Sequence, residues 1–172
     1  MIAAPPPPPG AAVLLDVKSG EILALASKPN FNLQDLSPRI SQVTYDKIER
    51  QEAWLPRAWH PGYCPASPFK LVTAVAALRA KVISPEEKLL CEGIYKGMEC
   101  HCYPGKHGEM NLRNAEAQSC NVYFFQLAER LGEKRLIAEA KSFGMNDSPD
   151  IQLPRLRNSP NVPDPAWKKK RV

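Results

Sequence analysis

The chain has 172 residues, of which 44% are hydrophobic, so it is long and apolar enough for one domain with a core and is not a disordered tail. Its net charge is +5, and the basic residues are scattered except for the run at residues 168–171. No aromatic residues are interleaved there to stack on bases, so we interpret the run as solvated and expect no nucleic-acid partner. We find no apolar stretch of about 18 residues and no export signal, and expect neither anchor nor signal in this chain.

The first elements predicted are a proline-rich leader and a hairpin. Residues 1–9 form the leader, because five consecutive prolines are typical of a polyproline spacer. Two short apolar runs, residues 11–16 and 21–27, are joined by Lys18-Ser19-Gly20, which predicts a β-hairpin. Residues 29–65 are rich in turn formers and carry one possible helix, residues 41–52, and an excursion of this length usually serves a site.

Ser67 opens the strongest helix signal in the sequence. Serine is a good N-cap, Pro68 suits the first helical position, and residues 69–80 contain no helix breaker. Apolar residues surround this helix almost completely: Phe69, Leu71, Val72, Val75 and Leu78. A helix that is apolar on most faces is buried, so we predict a central helix.

The second half of the chain predicts a loop and three shorter helices. Residues 91–108 are rich in Gly, Cys and His and are predicted to be a loop. The helices are predicted at residues 112–118, 122–131 and 133–143, the last two ended by glycines. Residues 149–172 contain five prolines without clear periodicity, which predicts a further loop.

Ser67 and Lys70 are three residues apart at a helix start, so their side chains lie on one face, one turn apart. A serine hydroxyl is a poor nucleophile without a base, and burial together with the positive potential of a helix N-terminus lowers the pKa of a lysine. Free backbone N–H groups at that end could also stabilise an oxyanion. Taken alone, however, the Ser-x-x-Lys pattern is more often a capping serine and a solvated lysine, so the neighbouring sequence must decide.

Residues 57–74 resemble, without a gap, the stretch around the active serine of class B penicillin-binding proteins, especially the elongation-type penicillin-binding protein 2. The positions that match the family pattern are Arg57, Ala58, Tyr63, Pro65, Ser67, Phe69 and Lys70. The chain departs from the pattern at Cys64, Ala66 and Pro68, where the family usually has Pro, Gly and Thr. Proline after the nucleophile is compatible with a helix start but removes one backbone donor.

A second motif, Ser119-Cys120-Asn121, begins 52 residues after Ser67. It resembles the Ser-x-Asn motif of the same family. The resemblance implies that Ser119 relays a proton between Lys70 and the leaving group. It also implies that Asn121 hydrogen-bonds the acyl-side amide of the substrate or of a β-lactam. Ser-x-Asn alone is usually an N-cap, but its order and spacing here favour the functional interpretation.

The resemblance extends over residues 10–172, because residues 12–27 and 162–168 also match segments of the family. It implies an α/β (α+β) penicillin-binding transpeptidase or β-lactamase-like fold, here a helical lobe and part of an antiparallel sheet. The third family motif, Lys-Thr-Gly on an edge strand, is not found in the 172 residues. Lys18-Ser19-Gly20 is no substitute, because it precedes the nucleophile and lies in a hairpin turn. We therefore expect a partial transpeptidase domain with impaired activity.

The activity implied is that of a peptidoglycan D,D-transpeptidase, in which Ser67 attacks a D-Ala-D-Ala stem peptide, Lys70 takes its proton, and β-lactams acylate the same serine. The parent protein is expected at the periplasmic face of the bacterial inner membrane, membrane-anchored and with elongation-machinery partners. One alternative is a class D type β-lactamase, against which the context of residues 63–69 argues. The other is a non-catalytic zinc-stabilised remnant, which the missing motif favours.

The chain has an odd number of cysteines, five, and several lie near histidines, which favours metal binding or free thiols over disulfides. A tetrahedral Zn²⁺ site needs four such ligands. Resemblance to some elongation-type members implies the set Cys91, Cys100, His107 and Cys120, with Cys102 a close rival of Cys100. Such a structural zinc would tie the loop to the second motif and support Ser119 and Asn121. Free or buried thiols remain the alternative, and His60 and His101 are interpreted as structural.

Overall fold

The computed structural model describes residues 8–59, 63–148, 150–153 and 161–170. The chain divides into two units, residues 1–61 and 62–172. Most of the predicted leader, residues 1–7, and His60 lie outside the described residues. Within the residues described, no helix has both the length and the apolar character needed to cross a membrane.

An antiparallel hairpin opens the first unit. Strand β1 spans Gly10–Leu15 and pairs with β2, Ile22–Lys28. The turn between them forms because the Asp16 carboxylate accepts hydrogen bonds of 2.8 Å from the backbone N–H groups of residues 18 and 19. Gly20 completes it with φ of 77°, a conformation that favours glycine. The predicted hairpin is confirmed.

A 3-10 helix, Leu33–Leu36, and helix α1, Gln42–Arg50, complete the first unit. The Ser41 side chain accepts a hydrogen bond from the Thr44 N–H at 3.1 Å and so caps α1. Ile48 is the buried residue of this helix. The helix predicted at residues 41–52 is confirmed, shorter by one residue at its start and two at its end.

Helix α2, Phe69–Arg79, packs against α4, Asn121–Leu131, and α5, Glu133–Ser142, in the second unit. Its buried residues are mainly small: Val72, Thr73, Ala76 and Ala77. Leu71 and Leu78, seven residues apart on one face, are 56% and 37% exposed. The central helix is confirmed, but the prediction that it is buried on nearly all sides is wrong, because α4 and α5 cover the opposite face.

Two short strands interrupt the loop predicted at residues 91–108, and two more flank it. Strand β3, Leu89–Cys91, pairs with β6, Gly108–Met110, and β4, Ile94–Tyr95, pairs with β5, Met98–Glu99, both antiparallel. The loop prediction missed β4 and β5, because strands of two residues are too short to show an alternating pattern. It is confirmed for residues 100–107, which form neither helix nor strand.

The remaining helices follow the prediction except at the end of the chain. Helix α3 spans Leu112–Ala117, and α4 and α5 begin and end within one residue of the predicted limits. Helix α6, Pro165–Lys169, falls in a stretch predicted to be loop. Asp164 caps it by accepting a hydrogen bond from the Trp167 N–H at 2.8 Å. The Asp-Pro start signal was present in the sequence, but one turn is too short to show periodicity.

The core of the second unit lies where β3, β6, α3 and α4 meet. Tyr123 and Leu127 of α4 are fully buried there, and Met110 of β6 is 2% exposed. Cys91, Cys100 and Cys120 belong to the same buried cluster. The cysteines of the predicted metal site therefore lie at the centre of the core.

Candidate active site and metal centre

The backbone enters α2 through a tight turn and not through a serine cap. Pro68 occupies the N-cap position and makes no side-chain capping bond. The Ser67 hydroxyl instead lies 3.0 Å from the Oγ of Ser119 and 3.4 Å from the Nζ of Lys70. The prediction that Ser67 caps the helix is wrong, because its oxygen is turned toward the second motif.

The first amides of α2 are already hydrogen-bonded. The N–H groups of Phe69 and Lys70 donate to the carbonyls of Ala66 and Ser67 at 3.0 and 2.9 Å, and that of Leu71 donates to the residue 68 carbonyl at 3.3 Å. Bonds between residues three apart tighten the first turn of a helix. The expectation of free oxyanion donors at this helix start is therefore wrong for these three amides.

Ala66, which precedes the nucleophile, has φ of 51°. This left-handed conformation favours glycine, and it costs a residue with a Cβ about 1–2 kcal/mol. The family usually has Gly at this position, which fits the geometry. Ala66 therefore holds Ser67 in place at a cost in backbone strain.

Ser119 also has a left-handed backbone, with φ of 50°. It directly follows α3, where the N–H of Ser119 donates to the carbonyl of Glu116 at 3.0 Å and that of Cys120 donates to Ala115 at 2.8 Å. This pair of bonds is a Schellman motif, in which a left-handed residue ends a helix. The helix ending thus sets the direction of the Ser119 side chain.

Lys70 lies at the centre of a hydrogen-bond network that joins both motifs. Its Nζ is 2.6 Å from the Ser119 carbonyl oxygen, 2.9 Å from the Ser119 Oγ and 2.7 Å from the Oδ1 of Asn121. The Ser119 carbonyl and the Asn121 oxygen can only accept, so Lys70 donates to both. The structure therefore brings together the four residues that the sequence analysis named as catalytic or substrate-binding.

A neutral Lys70 satisfies all of these contacts. A charged Lys70 donates to the Ser119 Oγ, which donates to Ser67. When Lys70 is neutral, its two N–H groups serve the two obligate acceptors and its lone pair can accept a hydrogen bond from the Ser119 hydroxyl. The Ser119 oxygen can then accept a hydrogen bond from Ser67 at 3.0 Å. The proton route from Ser67 to Lys70 through Ser119 therefore has the shorter hydrogen bonds, 3.0 and 2.9 Å, against a direct distance of 3.4 Å.

Two effects oppose each other at Lys70. Burial lowers its pKa below the ordinary lysine value, whereas the negative charges of Cys100, Cys120 and Glu116 raise it. Burial raises the pKa of Glu116 in turn, while the charge of Lys70 lowers it. The sequence analysis did not single out Glu116, although its position in a predicted helix one turn before Ser119 was a usable signal.

Asn121 is oriented from both ends of its amide. Its Oδ1 accepts from Lys70, and its Nδ2 donates to the backbone carbonyl of Glu99 in β5 at 3.4 Å. Asn121 is also the first residue of α4, which fixes its backbone. This orientation leaves the Nδ2 end, not the Oδ1 end, to meet a substrate carbonyl.

Four ligand atoms, one each from Cys91, Cys100, His107 and Cys120, lie within 4.8 Å of one another. His107 Nδ1 is 3.6 Å from the Cys91 sulfur and 3.8 Å from that of Cys100. Tetrahedral zinc with bonds of about 2.3 Å to sulfur and 2.0 Å to nitrogen needs ligand atoms about 3.5–3.8 Å apart. The donor set fits a Cys₃His zinc site, and the two distances from His107 match its spacing. Binding of zinc there remains a prediction.

Charge favours a cation among these thiols. Burial disfavours the Cys100 thiolate, but backbone N–H groups, that of Cys102 foremost, lower the pKa of Cys100 to about 6. Burial, together with the nearby Cys91, raises the pKa of Cys120 to about 12. Thiolates packed this closely repel one another, and a bound cation would stabilise them together.

Cys120 connects the candidate metal centre to the second motif. It is fully buried, and its sulfur accepts a hydrogen bond from the Tyr123 N–H at 3.4 Å as the N-cap of α4. Its own N–H closes the helix ending that positions Ser119. Because Cys120 lies between Ser119 and Asn121, an ion bound to its sulfur would restrain the backbone of both residues.

His101 lies beside the cluster, with its ring centroid 5.1 Å from that of His107. Its Nδ1 is 3.8 Å from the Cys100 sulfur. It is not part of the four-residue group, so its interpretation as a structural residue stays a prediction.

The sequence model of one protein family, the penicillin binding protein transpeptidase domain, matches residues 10–171 of this chain. The chain therefore belongs to this family of transpeptidase domains, and the predicted family is confirmed. It is 31% identical over 169 residues to the peptidoglycan D,D-transpeptidase MrdA of Haemophilus influenzae, which covers 94% of this chain and 26% of the relative. The chain thus spans about a quarter of the length of the curated relatives it matches.

Solved structures confirm the predicted α/β transpeptidase fold. Penicillin-binding protein PBP2 of Helicobacter pylori has a TM-score of 0.84 at 27% identity, covering 94% of this chain and 32% of that one. Penicillin-binding protein A of M. tuberculosis, solved as an imipenem acyl-enzyme complex, has a TM-score of 0.66 at 32% identity, covering 81% and 35%. These similarities do not favour the β-lactamase or the remnant alternative.

Proposed function

We propose that this chain is the part of a peptidoglycan D,D-transpeptidase that carries the nucleophile, Ser67. The observation that supports this most is the continuous hydrogen-bond path from the Ser67 Oγ through the Ser119 Oγ to the Lys70 Nζ. A serine nucleophile needs a base within hydrogen-bond reach, directly or through one relay.

In the proposed reaction, the Ser67 oxygen attacks the carbonyl carbon between the two D-alanines of a stem peptide. Its proton passes to Ser119, which gives its own proton to neutral Lys70. When the C–N bond breaks, the proton returns through Ser119 to the leaving D-alanine amine, and the stem stays on Ser67 as an ester. An amine of a second stem then attacks that ester and restores the Ser67 hydroxyl. The Asn121 Nδ2 would donate to the acyl-side amide of the donor stem.

A β-lactam would react with the same atoms, because its strained amide presents the same carbonyl. The acyl-enzyme of M. tuberculosis penicillin-binding protein A supports this proposal by its similarity. When the ring opens, the amine stays attached to the acyl group and does not leave the site. The adduct therefore persists, and intact mass gives the fraction of protein that carries it.

The four-residue metal group has a structural role in this proposal. Zinc held by Cys91, Cys100, His107 and Cys120 would supply cross-linking of the core but no step of the reaction. These residues would hold the loop of β4 and β5 against the start of α4. Asn121 and Ser119 flank Cys120, so the metal would limit their movement.

We further propose that the whole protein is anchored in the inner membrane, with this domain on the periplasmic side. Peptidoglycan stems are found there, and MrdA of Haemophilus influenzae, a D,D-transpeptidase by name, supports the assignment. Partners from the cell-elongation machinery are part of this proposal, supported by the similarity of the chain to a solved structure of a peptidoglycan synthase complex.

The test is covalent labelling by a fluorescent penicillin, followed by intact mass. We compare the 172-residue chain with the same chain fused, after Val172, to the downstream part of a related transpeptidase domain that contains Lys-Thr-Gly. In the fold that the chain shares, this motif lies on the strand beside the nucleophile. Loss of one oxyanion donor alone costs about a hundredfold or more in rate, so we expect slow labelling of the chain and faster labelling of the fusion.

Ser67→Ala should abolish the adduct in both proteins, and Ser142→Ala, at a hydroxyl that bonds Glu139 in α5, should leave it unchanged. Fast stoichiometric labelling of the unfused chain would contradict the expected role of the third motif. A fusion that folds but never labels at Ser67 would overturn the proposed activity and favour the remnant alternative.

A further inference from the structure

Cys102 lies beside the candidate metal group without being part of it. Its sulfur is 3.9 Å from that of Cys91. The atoms that lie mutually within 4.8 Å belong to Cys91 and three other residues, and among residues 63–148 that group does not include Cys102. A thiol in contact with one candidate ligand, but outside the ligand set, is placed to compete for that ligand.

The two sulfurs differ in access to solvent. Cys91 is fully buried, whereas Cys102 is partly exposed at the edge of the cluster. Oxidation of cysteine depends on thiolate formation and on exposure. Burial and the neighbouring Cys100 raise the pKa of the Cys102 thiol to about 11, so exposure is the factor that favours attack on it. A small oxidant arriving from solvent reaches Cys102 before it reaches Cys91.

Backbone contacts hold the segment of Cys102 against the turn at Gly93, which follows β3, the strand of Cys91. The Cys100 N–H donates to the Gly93 carbonyl at 2.8 Å. A Cβ on Gly93 would lie 2.2 Å from the carbonyl oxygen of Gly105, so the two arms of this loop are in direct contact. Closing the sulfur gap to the bond length of about 2.05 Å therefore needs side-chain rotation more than approach of a distant segment.

We propose that Cys91 and Cys102 form a redox-active pair, whose oxidation to a disulfide withdraws Cys91 from the metal group. The disulfide itself does not depend on a metal. Its consequence, release of zinc, rests on the zinc site proposed above.

With hydrogen peroxide as the oxidant, the step is balanced. Cys102 gives up its thiol proton, and its sulfur attacks one peroxide oxygen. The O–O bond breaks, Cys102 becomes a sulfenic acid, and the departing hydroxide takes up the proton to form water. The Cys91 thiolate then attacks the Cys102 sulfur, the S–O bond breaks and hydroxide leaves. Each sulfur loses one electron, and the two electrons reduce the peroxide.

Other pairings of Cys102 are less favourable. Cys100 is only two residues away, so a disulfide between them would close a small ring far from the relaxed geometry. The Cys120 sulfur is engaged as the N-cap of α4, whereas the Cys91 sulfur is in contact with that of Cys102. Cys91 is therefore the partner that the geometry favours.

Oxidation would leave three of the four proposed ligands, Cys100, His107 and Cys120. A site of three ligands binds zinc less tightly, so Cys120 would lose its link to β3. The link between the metal centre and the second motif makes this a route by which oxidation lowers acylation of Ser67.

The experiment treats the purified 172-residue chain, its zinc content first measured, with hydrogen peroxide. A chromophoric chelator follows zinc release, and peptide mapping without reductant identifies the cross-linked cysteines. We expect a Cys91–Cys102 cross-link with parallel release of zinc, both reversed by a thiol reductant and added zinc. Cys102→Ser and Cys102→Ala should slow zinc release at least about tenfold, because neither variant can form the disulfide that withdraws Cys91 from the metal.

Cys64→Ser is the matched control, because Cys64 is an exposed free cysteine outside the cluster, and it should behave as the unmodified chain. A cross-link of Cys102 to any other cysteine, or zinc release at full rate in both Cys102 variants, would overturn the proposal. A chain that contains no zinc but still forms the Cys91–Cys102 bond supports the pair and overturns only the zinc site.

Discussion

The Oγ atoms of Ser67 and Ser119 lie 3.0 Å apart, although 52 residues separate them in the chain. The hydroxyl nearest to Lys70 is that of Ser119, at 2.9 Å, and not that of Ser67, at 3.4 Å. The geometry therefore assigns Ser119 a part in removing the Ser67 proton, in addition to delivering a proton to the leaving group.

Ser119→Ala tests this relay. We expect a fall of about 10²–10⁴-fold in the rate of penicillin adduct formation, because proton transfer by a positioned group contributes that much. Intact mass against time, measured on the Lys-Thr-Gly fusion, gives the rate. Ser119→Ala with an unchanged acylation rate would show that Lys70 takes the proton directly across 3.4 Å.

Glu116→Gln tests the charge balance at Lys70. The charge of Glu116 raises the pKa of Lys70, so its removal lowers that pKa. Neutral Lys70 is the active form and becomes more populated as pH rises. In a plot of acylation rate against pH, the rising part of the curve should therefore lie at lower pH in the variant. The shift is expected where Glu116 is ionised in the parent chain.

Glu109→Gln is the control for this pH profile, since Glu109 is exposed and pairs with Lys88 at 3.3 Å. Glu109→Gln should leave the pH dependence of the acylation rate unchanged. A shift to higher pH in Glu116→Gln, or equal shifts in both variants, would contradict the assigned influence of Glu116.

Ala66→Gly should stabilise the fold by about 0.5–1 kcal/mol, because glycine adopts the left-handed φ of 51° without the Cβ penalty and offsets its own chain entropy. Urea unfolding gives the free energy. Ala80→Gly, at the end of α2 with φ of −76°, should instead lower stability or leave it unchanged. If Ala66→Gly were as destabilising as Ala80→Gly, the strain assigned to residue 66 would be absent.

Zinc content is the fourth prediction. The purified chain should contain about one zinc, and Cys120→Ser or His107→Ala should lose most of it, because three ligands hold zinc poorly. Cys102→Ser should retain zinc, which separates Cys102 from its rival Cys100, and Cys64→Ser serves as control. Titration of all five thiols in freshly isolated, metal-free protein would contradict this site.

Local sequence was sufficient for the elements whose signals lie within one segment. The β-hairpin followed from two apolar runs and a Lys-Ser-Gly turn. Helix α2 followed from its Ser-Pro start and the absence of breakers, and the ends of α4 and α5 followed from glycine stops. The two motifs were found by order and spacing, and the family they indicated is the one whose domain model matches the chain.

Only the tertiary structure decided how these pieces meet. The direction of Ser119 depends on a left-handed helix ending, and β3 and β6 exist because residues about 20 apart pair with one another, which no local pattern encodes. The contact of Cys102 with Cys91 and the grouping of Cys100 with His107 arise in the same way. Residue types and spacing specified which groups are available for chemistry, and long-range packing decided which of them lie within reach of one another.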